Sequence, residues 1–371
     1  MPARFMKLVF TSYGGSPEYN KPEAWLKRIN AWTGILEKLS VNNTVIGIER
    51  INYEGLYEQN GVQYYFTRLK KRVVRFPWRM HRIVKQLQPD IVFVNGFIFP
   101  WQIIQLRWKL GKGIKIIVMT HAEKPYTGFR KLLQRQADSC VHNYFFTSKE
   151  MAVEWIRQGI IANKNKVTEV MEASSSFYPI ENQKALAKTG ITGDIVFLWV
   201  GRLDANKDPL TVIRAFGEFL KQQPSAKLYM IYHTEELLSE IIRYCEKDTN
   251  LQKAIKLIGK ILHDDMQYWY NSVDFIISGS HYEGSGVAVC EAMSCGCIPV
   301  LTNIQSFRKM TGPGKCGLLY EPGNDKDLLA ALLKTRKLDI ETERTRVLQQ
   351  FKEELSFEAI AKKIDEVLTS M

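Results

Sequence analysis

Glu283 and Glu291 stand in EGSGVAVCEAMSCGCIPV with seven residues between them. From Gly284 to Phe307 the Glu291 carboxylate is the only charged group, and a buried carboxylate must be paired or hydrogen-bonded. The stretch VDFIIS reads as a strand, GSHYEGSG as the loop after it, and VAVCEAM as a helix that places Glu291 about one turn in. Its acceptor-only oxygens there suit a pair of vicinal hydroxyls, and Glu283 on the loop could grip others. Gly284 and Gly286 let the backbone approach a ligand closely, and the free N–H groups of a helix start favour anions such as phosphate. Taken singly, Glu283 also reads as a surface or helix-terminal charge, and Glu291 as the partner of an internal arginine. Upstream, Arg202 and Lys207 in WVGRLDANKDPLTVIRAF lie between a strand and a helix, where two fixed cations could neutralise a departing diphosphate. His121 follows the strand IKIIVMT, placed either to hydrogen-bond a sugar or phosphate or to serve the fold.

Strand ends of this kind need a sheet to carry them. Short β-branched and aromatic runs alternate with segments of helical period, which predicts parallel sheets covered by helices. The first series of strands is FMKLVFT, TVIGI, VQYYFT, DIVFVN, IKIIVMT and NYFFTS, with helices over 22–39, 75–87, 101–110 and 128–138. A second series runs DIVFLWVG, AKLYMIY, IKLIG, VDFIIS, IPVLT and CGLLY. Between them, SSSFYPIENQKALAKTGITGD reads as a linker near residues 174–192. The expected architecture is α/β: two Rossmann-like, doubly wound domains, residues 1–178 and 190–355, facing a central cleft that holds the active site. The segment 356–371 has Phe357, Ile360, Ile364 and Val367 at helical spacing and packs either on its own domain or back on the first.

The 371 residues are too many for one ordinary core and suit two. No run of about 18 uncharged apolar residues occurs, and the N-terminal apolar stretch is too short for a signal peptide, so the chain is expected in the cytoplasm. Six cysteines without paired CxxC spacing read as reduced, mostly buried thiols. The net charge of +12 is lopsided: residues 1–180 carry 27 Lys and Arg against 13 Asp and Glu, the remainder 24 against 26.

The segment EGSGVAVCEAMSCGCIPV closely resembles the nucleotide-sugar site of retaining glycosyltransferases of family 4, which have the GT-B fold. That family is marked by two glutamates with seven residues between them, a small-residue helix and a G-x-P-V strand, here Gly296 to Val300. The resemblance implies that Glu291 binds the ribose of a nucleoside diphosphate sugar and Glu283 its hexose, with the amides of Ser285, Gly286 and Val287 on sugar or phosphate. It also implies that Arg202 and Lys207 are the family's cationic pair, that Lys260 and Ile261 lie near the base, and that His121 contacts the donor. YGGSPEYN resembles the family's N-terminal glycine loop, with Gly14 and Gly15 near phosphates or acceptor. The likeness is specific over residues 195–336 and thin over 1–175, where acceptor recognition varies.

Retention by double displacement needs a carboxylate nucleophile, and none is identifiable here. The family implies front-face substitution, in which the departing phosphate helps deprotonate the acceptor hydroxyl. The D-x-D of Asp325 and Asp327 reads as helix capping, so neither a metal nor a cofactor is implied. Residues 67–85, TRLKKRVVRFPWRMHRIVK, hold eight Lys or Arg, no acid, and Phe76 and Trp78. They read as a solvated basic helix or as a contact with an anionic membrane, and no nucleic-acid motif accompanies them. The reading is a hexosyltransferase using a nucleoside diphosphate sugar and a glycan or glycolipid acceptor, peripheral on the inner face of the plasma membrane, in cell-surface glycan synthesis. Its rivals are a nucleotide-sugar 2-epimerase of the same fold and a non-catalytic protein that binds polyanions or membranes.

Overall fold

The computed structural model describes residues 5–68 and 74–371, and the chain divides into two units. The first comprises the described residues up to Ser174 together with Phe357–Met371; the second is Ser175–Ser356. In the first, the strands are β1 Lys7–Ser12, β2 Thr44–Ile51, β3 Gly55–Gln59, β4 Val62–Arg68, β5 Ile91–Asn95, β6 Lys115–Met119, β7 Asn143–Phe146 and β8 Val167–Glu169. They form one sheet in the order β3-β4-β2-β1-β5-β6-β7-β8, parallel except for the β3–β4 pair. Near-continuous Val, Ile, Leu and Phe runs are what strands buried on both faces require, and Ile91 to Val94 are buried without a break. Helices Trp78–Leu87, Pro100–Leu110 and Gly128–Asp138 bury Met80, Val84, Ile103, Leu106 and Ala137 in the core with Val92, Val94, Ile116 and Val118. Helix Phe357–Ser370 lies in this unit, where the Phe357 ring fills the space a side chain at Gly34 would need and Lys38 pairs with Glu358 at 2.8 Å.

The second unit has β9 Val196–Gly201, β10 Lys227–Tyr232, β11 Ile255–Gly259, β12 Phe275–Ser278, β13 Ile298–Thr302 and β14 Leu318–Tyr320, all parallel in the order β11-β10-β9-β12-β13-β14. This is the 3-2-1-4-5-6 winding, whose order reverses between β9 and β12; ligands bind beyond the strand ends at such a point.

Four expectations need correction. The helix read over 22–39 is two, Pro22–Arg28 and Asn30–Leu39, interrupted at Ile29, where the backbone leaves helical geometry. The stretch read as a linker holds helix Asn182–Thr189, packed on Met266–Asn271; it is short and polar, so its periodicity is faint. Strands β3 and β8 were not foreseen, one being strongly polar and the other three residues long. The helix read from residue 75 starts at Trp78, after Pro77, and its buried Met80, His81 and Val84 make it half core rather than a wholly solvated helix. Of its basic run, Lys70, Lys71 and Arg72 lie outside the described residues. All six cysteines are free and buried. Among the described residues no helix is long and apolar enough to cross a membrane.

Candidate functional site

The loops after β9 and β12, the two strands at the switch point, carry Arg202 and Lys207 and Glu283 respectively. A Cβ at Gly279 would come within 2.7 Å of the Asp208 carbonyl oxygen, so glycine lets the two loops touch. The contact is stitched by His281 N–H donating to the Asn206 carbonyl at 2.8 Å and by the Asn206 side chain donating to the Tyr282 carbonyl at 3.0 Å. Asp208 has φ of +40°, an unfavourable left-handed conformation for a residue with a side chain. Its carboxylate caps helix Pro209–Leu220 through Thr211 N–H and lies 3.1 Å from His281 Nε2. This stitching brings Lys207 Nζ into an ion pair with Glu283. Arg202, about half exposed, pairs with Asp204 at 3.1 Å, while Asp204 also accepts from the Lys207 amide at 2.9 Å. The two cations expected to converge are thus each held by a carboxylate.

Helix Val287–Ser294 begins at Gly286, whose φ is +54° and whose missing side chain leaves room for the Phe307 ring. No side chain caps this start, so its first amides are left for a ligand or solvent. Ser285 is buried, Gly284 half-buried and Val287 exposed. One turn in, Glu291 is buried at 7% exposure. Its partner is not an arginine: Tyr270 donates to Oε2 at 2.9 Å, and His263 Nε2 lies 2.6 Å from Oε1. The His263 ring packs on Phe177 with centroids 5.1 Å apart. A carboxylate has about four lone-pair sites, so two remain for hydroxyls. Burial pushes the Tyr270 hydroxyl far above its ordinary pKa, reinforced by the Glu291 charge, so it stays a donor. Lys260, exposed, and Ile261 follow β11.

In the first unit, His121 follows β6 and its Nδ1 pairs with Glu172, while its backbone N–H donates to Glu123 at 2.5 Å. Gly96, beyond β5, leaves space for the Glu123 carboxylate, which a Cβ would meet at 2.8 Å. Burial alone would lower the His121 pKa, but the Glu172 charge and hydrogen bond, with Glu123 behind them, raise it on balance. Burial raises that of Glu123. Gly14 and Gly15 follow β1, and Gly15 lies directly against Arg50 of β2.

The sequence did not single out His263, Tyr270, Glu172, Glu123, Asp204 or Arg50. The first two do lie in the segment joining the cations to the glutamates; Glu172 falls in what looked like the approach to a linker. Among the described residues no cluster of three or more His, Cys, Asp or Glu suits a metal. Asp325 and Asp327 occupy the first turn of helix Asp325–Thr335, which Asn324 caps, and Asp327 accepts from the Glu321 amide at 2.7 Å.

Two units of Rossmann-like winding, with the site-bearing loops at a switch point, define the GT-B fold. The Anabaena protein HepE in complex with UDP superposes on the chain with a TM-score of 0.74, at 15% identity over 99% of this chain and 100% of that one. The family description Glycosyltransferase Family 4 matches residues 46–168, and Glycosyl transferases group 1 matches residues 181–352. The chain belongs to this family of glycosyltransferases. It is 24% identical over 268 residues to the GDP-mannose:cellobiosyl-diphosphopolyprenol alpha-mannosyltransferase of Xanthomonas oryzae pv. oryzae, covering 69% of this chain and 68% of that protein. It is 26% identical over 166 residues to the D-inositol 3-phosphate glycosyltransferase of Paenarthrobacter aurescens, covering 42% of this chain and 39% of that protein.

Proposed function

We propose that the protein transfers a hexose-type sugar from a nucleoside diphosphate sugar to an acceptor hydroxyl with retention of anomeric configuration. The observation that carries this reading is the buried Glu291 carboxylate, oriented by Tyr270 and His263 and keeping lone pairs for the ribose hydroxyls. The uncapped start of helix Val287–Ser294 offers amides to phosphate or sugar oxygens. Arg202 and Lys207 stabilise the leaving diphosphate, and Glu283, already on Lys207, holds the hexose hydroxyls. The departing phosphate oxygen takes the proton of the acceptor hydroxyl on the same face of the sugar, so no enzymic nucleophile and no metal takes part. His121 hydrogen-bonds the donor, Gly14 and Gly15 lie by phosphates or acceptor, and Lys260 and Ile261 by the base.

The acceptor in this reading is a glycan or glycolipid. The mannosyltransferase relative is named for a diphosphopolyprenol-linked acceptor, which favours a lipid-borne one. Residues 67–85 then meet the anionic inner face of the plasma membrane, where Phe76 and Trp78 are exposed and stack with centroids 6.2 Å apart. The test is calorimetry of UDP-, GDP- and ADP-sugars on the wild type and Lys207→Ala in EDTA, then proton NMR of the product's anomeric centre. One donor bound without metal, an α-donor giving an α-product, and a loss of turnover by about 100-fold in the variant are expected. No binding of any donor, an inverted product, or sugar conversion without acceptor overturns it.

A further inference from the structure

Arg50 is the next-to-last residue of β2, and its side chain is buried to 2% exposure. Its Nη1 donates to the Tyr13 carbonyl at 3.1 Å, while its Nε–H is buried without an acceptor. Among the described residues no carboxylate pairs with it; the one charge-bearing group that acts on it is the Tyr13 phenol, itself held neutral by burial. A guanidinium cannot shed its proton at any ordinary pH, so burial leaves it as an ion without a counter-ion. That is costly, and apolar side chains of similar volume commonly replace such ions without loss of stability. Packing alone therefore gives no reason for an arginine here.

Its surroundings supply one. The loop after β1 lies directly on Arg50: a Cβ at Gly15 would approach the Arg50 Cβ to 2.8 Å, and the Ser16 amide donates to the Arg50 carbonyl at 3.0 Å. Among the described residues, chain neighbours aside, only Ser12 Oγ comes within 4 Å of where a Cβ at Gly14 would stand, so that backbone can be approached by a ligand. Tyr13 directs its hydroxyl to His81, 2.9 Å away, which anchors the other end of the loop in the core. A glycine backbone over a fixed, poorly solvated cation suits a phosphate oxyanion: close approach is allowed, and the low dielectric lengthens the reach of the charge.

We propose that Arg50 is the counter-charge of a phosphate or diphosphate group bound at the Gly14–Gly15 loop. The inference rests on the transferase reading for the identity of that group, which is either the donor's diphosphate or one on the acceptor.

The test uses the full-length protein with 15N-labelled arginine. The Nε–H resonance of Arg50 is identified by its loss in Arg50→Lys, and that of Arg202 by its loss in Arg202→Lys. Inorganic pyrophosphate is titrated first, then a nucleoside diphosphate and farnesyl diphosphate separately. A saturable shift of the Arg50 resonance is expected with pyrophosphate, and whichever organic diphosphate reproduces it names the source. The Arg202 resonance reports on the donor reading by itself, so either site can fail alone. Arg50→Met is expected to fold with an unliganded Tm equal to or above that of the wild type, and to raise the KM of the matching substrate at least tenfold. An Arg50 resonance that stays still at saturating diphosphate, or an Arg50→Met protein with a sharply lowered unliganded Tm and unchanged KM, overturns the proposal and leaves Arg50 as a tie for the Tyr13 carbonyl.

Discussion

Replacing Glu291 perturbs two things that a single variant confounds. Glu291→Ala removes the acceptor of the fully buried Tyr270 hydroxyl as well as any ligand contact. An orphaned buried hydroxyl costs about 1–3 kcal/mol of stability, apart from function. Glu291→Gln keeps an amide oxygen for Tyr270 and gives up the charge, so its stability loss should be about 1 kcal/mol or less. Two hydroxyl bonds that lose their charge assistance should weaken nucleotide affinity by about 1–3 kcal/mol in either variant, roughly 5- to 150-fold in Kd. Tyr270→Phe completes the comparison: it removes the donor but leaves the carboxylate, and should change affinity less than Glu291→Gln does. Urea unfolding gives the stabilities, and calorimetry with the nucleoside diphosphate that binds the wild type gives the affinities. If Glu291→Gln binds as tightly as wild type while Glu291→Ala is only less stable, Glu291 serves the fold alone and the site assignment is wrong.

Two further predictions concern pH. Glu49 is buried, which outweighs the hydrogen bond from Trp25 Nε1 at 2.9 Å and raises its pKa from 4.5 to about 7. The unfolded chain then ionises this group before the folded one does, so stability is full below pH 4.5 and is lost as pH rises to about 7. Glu49→Gln, which can still accept from Trp25, should be more stable than wild type by up to about 3 kcal/mol at pH 8 and about equal near pH 4.5; urea midpoints that differ by the same amount at both ends count against it. For His121 the folded pKa is also raised, so the pairing with Glu172 stabilises fully below about pH 6.5 and fades as pH rises through the folded value. The half-exposed ring limits this to about 1 kcal/mol or less, so a Glu172→Gln variant should show a lower Tm than wild type at pH 6, with the gap closing by pH 9. A gap that widens with pH would contradict the pairing.

The winding of both sheets was legible because strands buried on two faces are continuous apolar runs, and those runs survive in any sequence that folds this way. Glu291 was legible for the same reason, as a lone charge in an apolar helix. Its partners were not. His263 and Tyr270 come from a short helical segment before β12, and their meeting with Glu291 depends on how that segment packs on helix Val287–Ser294, a tertiary fact without a local pattern. Glu172 and Arg50 were missed differently: one stands after a three-residue strand, and the other is next to last in a strand, where a charge ordinarily reads as solvent-exposed. The polar strand β3 and the helix Asn182–Thr189 lack apolar periodicity because they pack at the margins of their units, not in their centres.

The carboxylates on Arg202 and Lys207 bear on how the site would take a diphosphate in the proposed transfer. Two neighbouring cations without counter-ions repel each other and leave their long side chains free; Asp204 and Glu283 hold each in place and cancel the repulsion. Arg202 is about half exposed, so its pair is well screened and a diphosphate can take over its hydrogen bonds at small cost. Lys207 and Glu283 are far less exposed, and breaking their pair would leave one poorly solvated charge without its partner. The less costly course is for Lys207 to keep Glu283 while presenting its remaining donors to the phosphate, and for Glu283 to turn its second oxygen to the sugar. In the proposed transfer the intact pair then spans the two ends of the donor bond that breaks, with Lys207 facing the charge that builds on the leaving phosphate and the second Glu283 oxygen facing the positive charge that develops on the sugar.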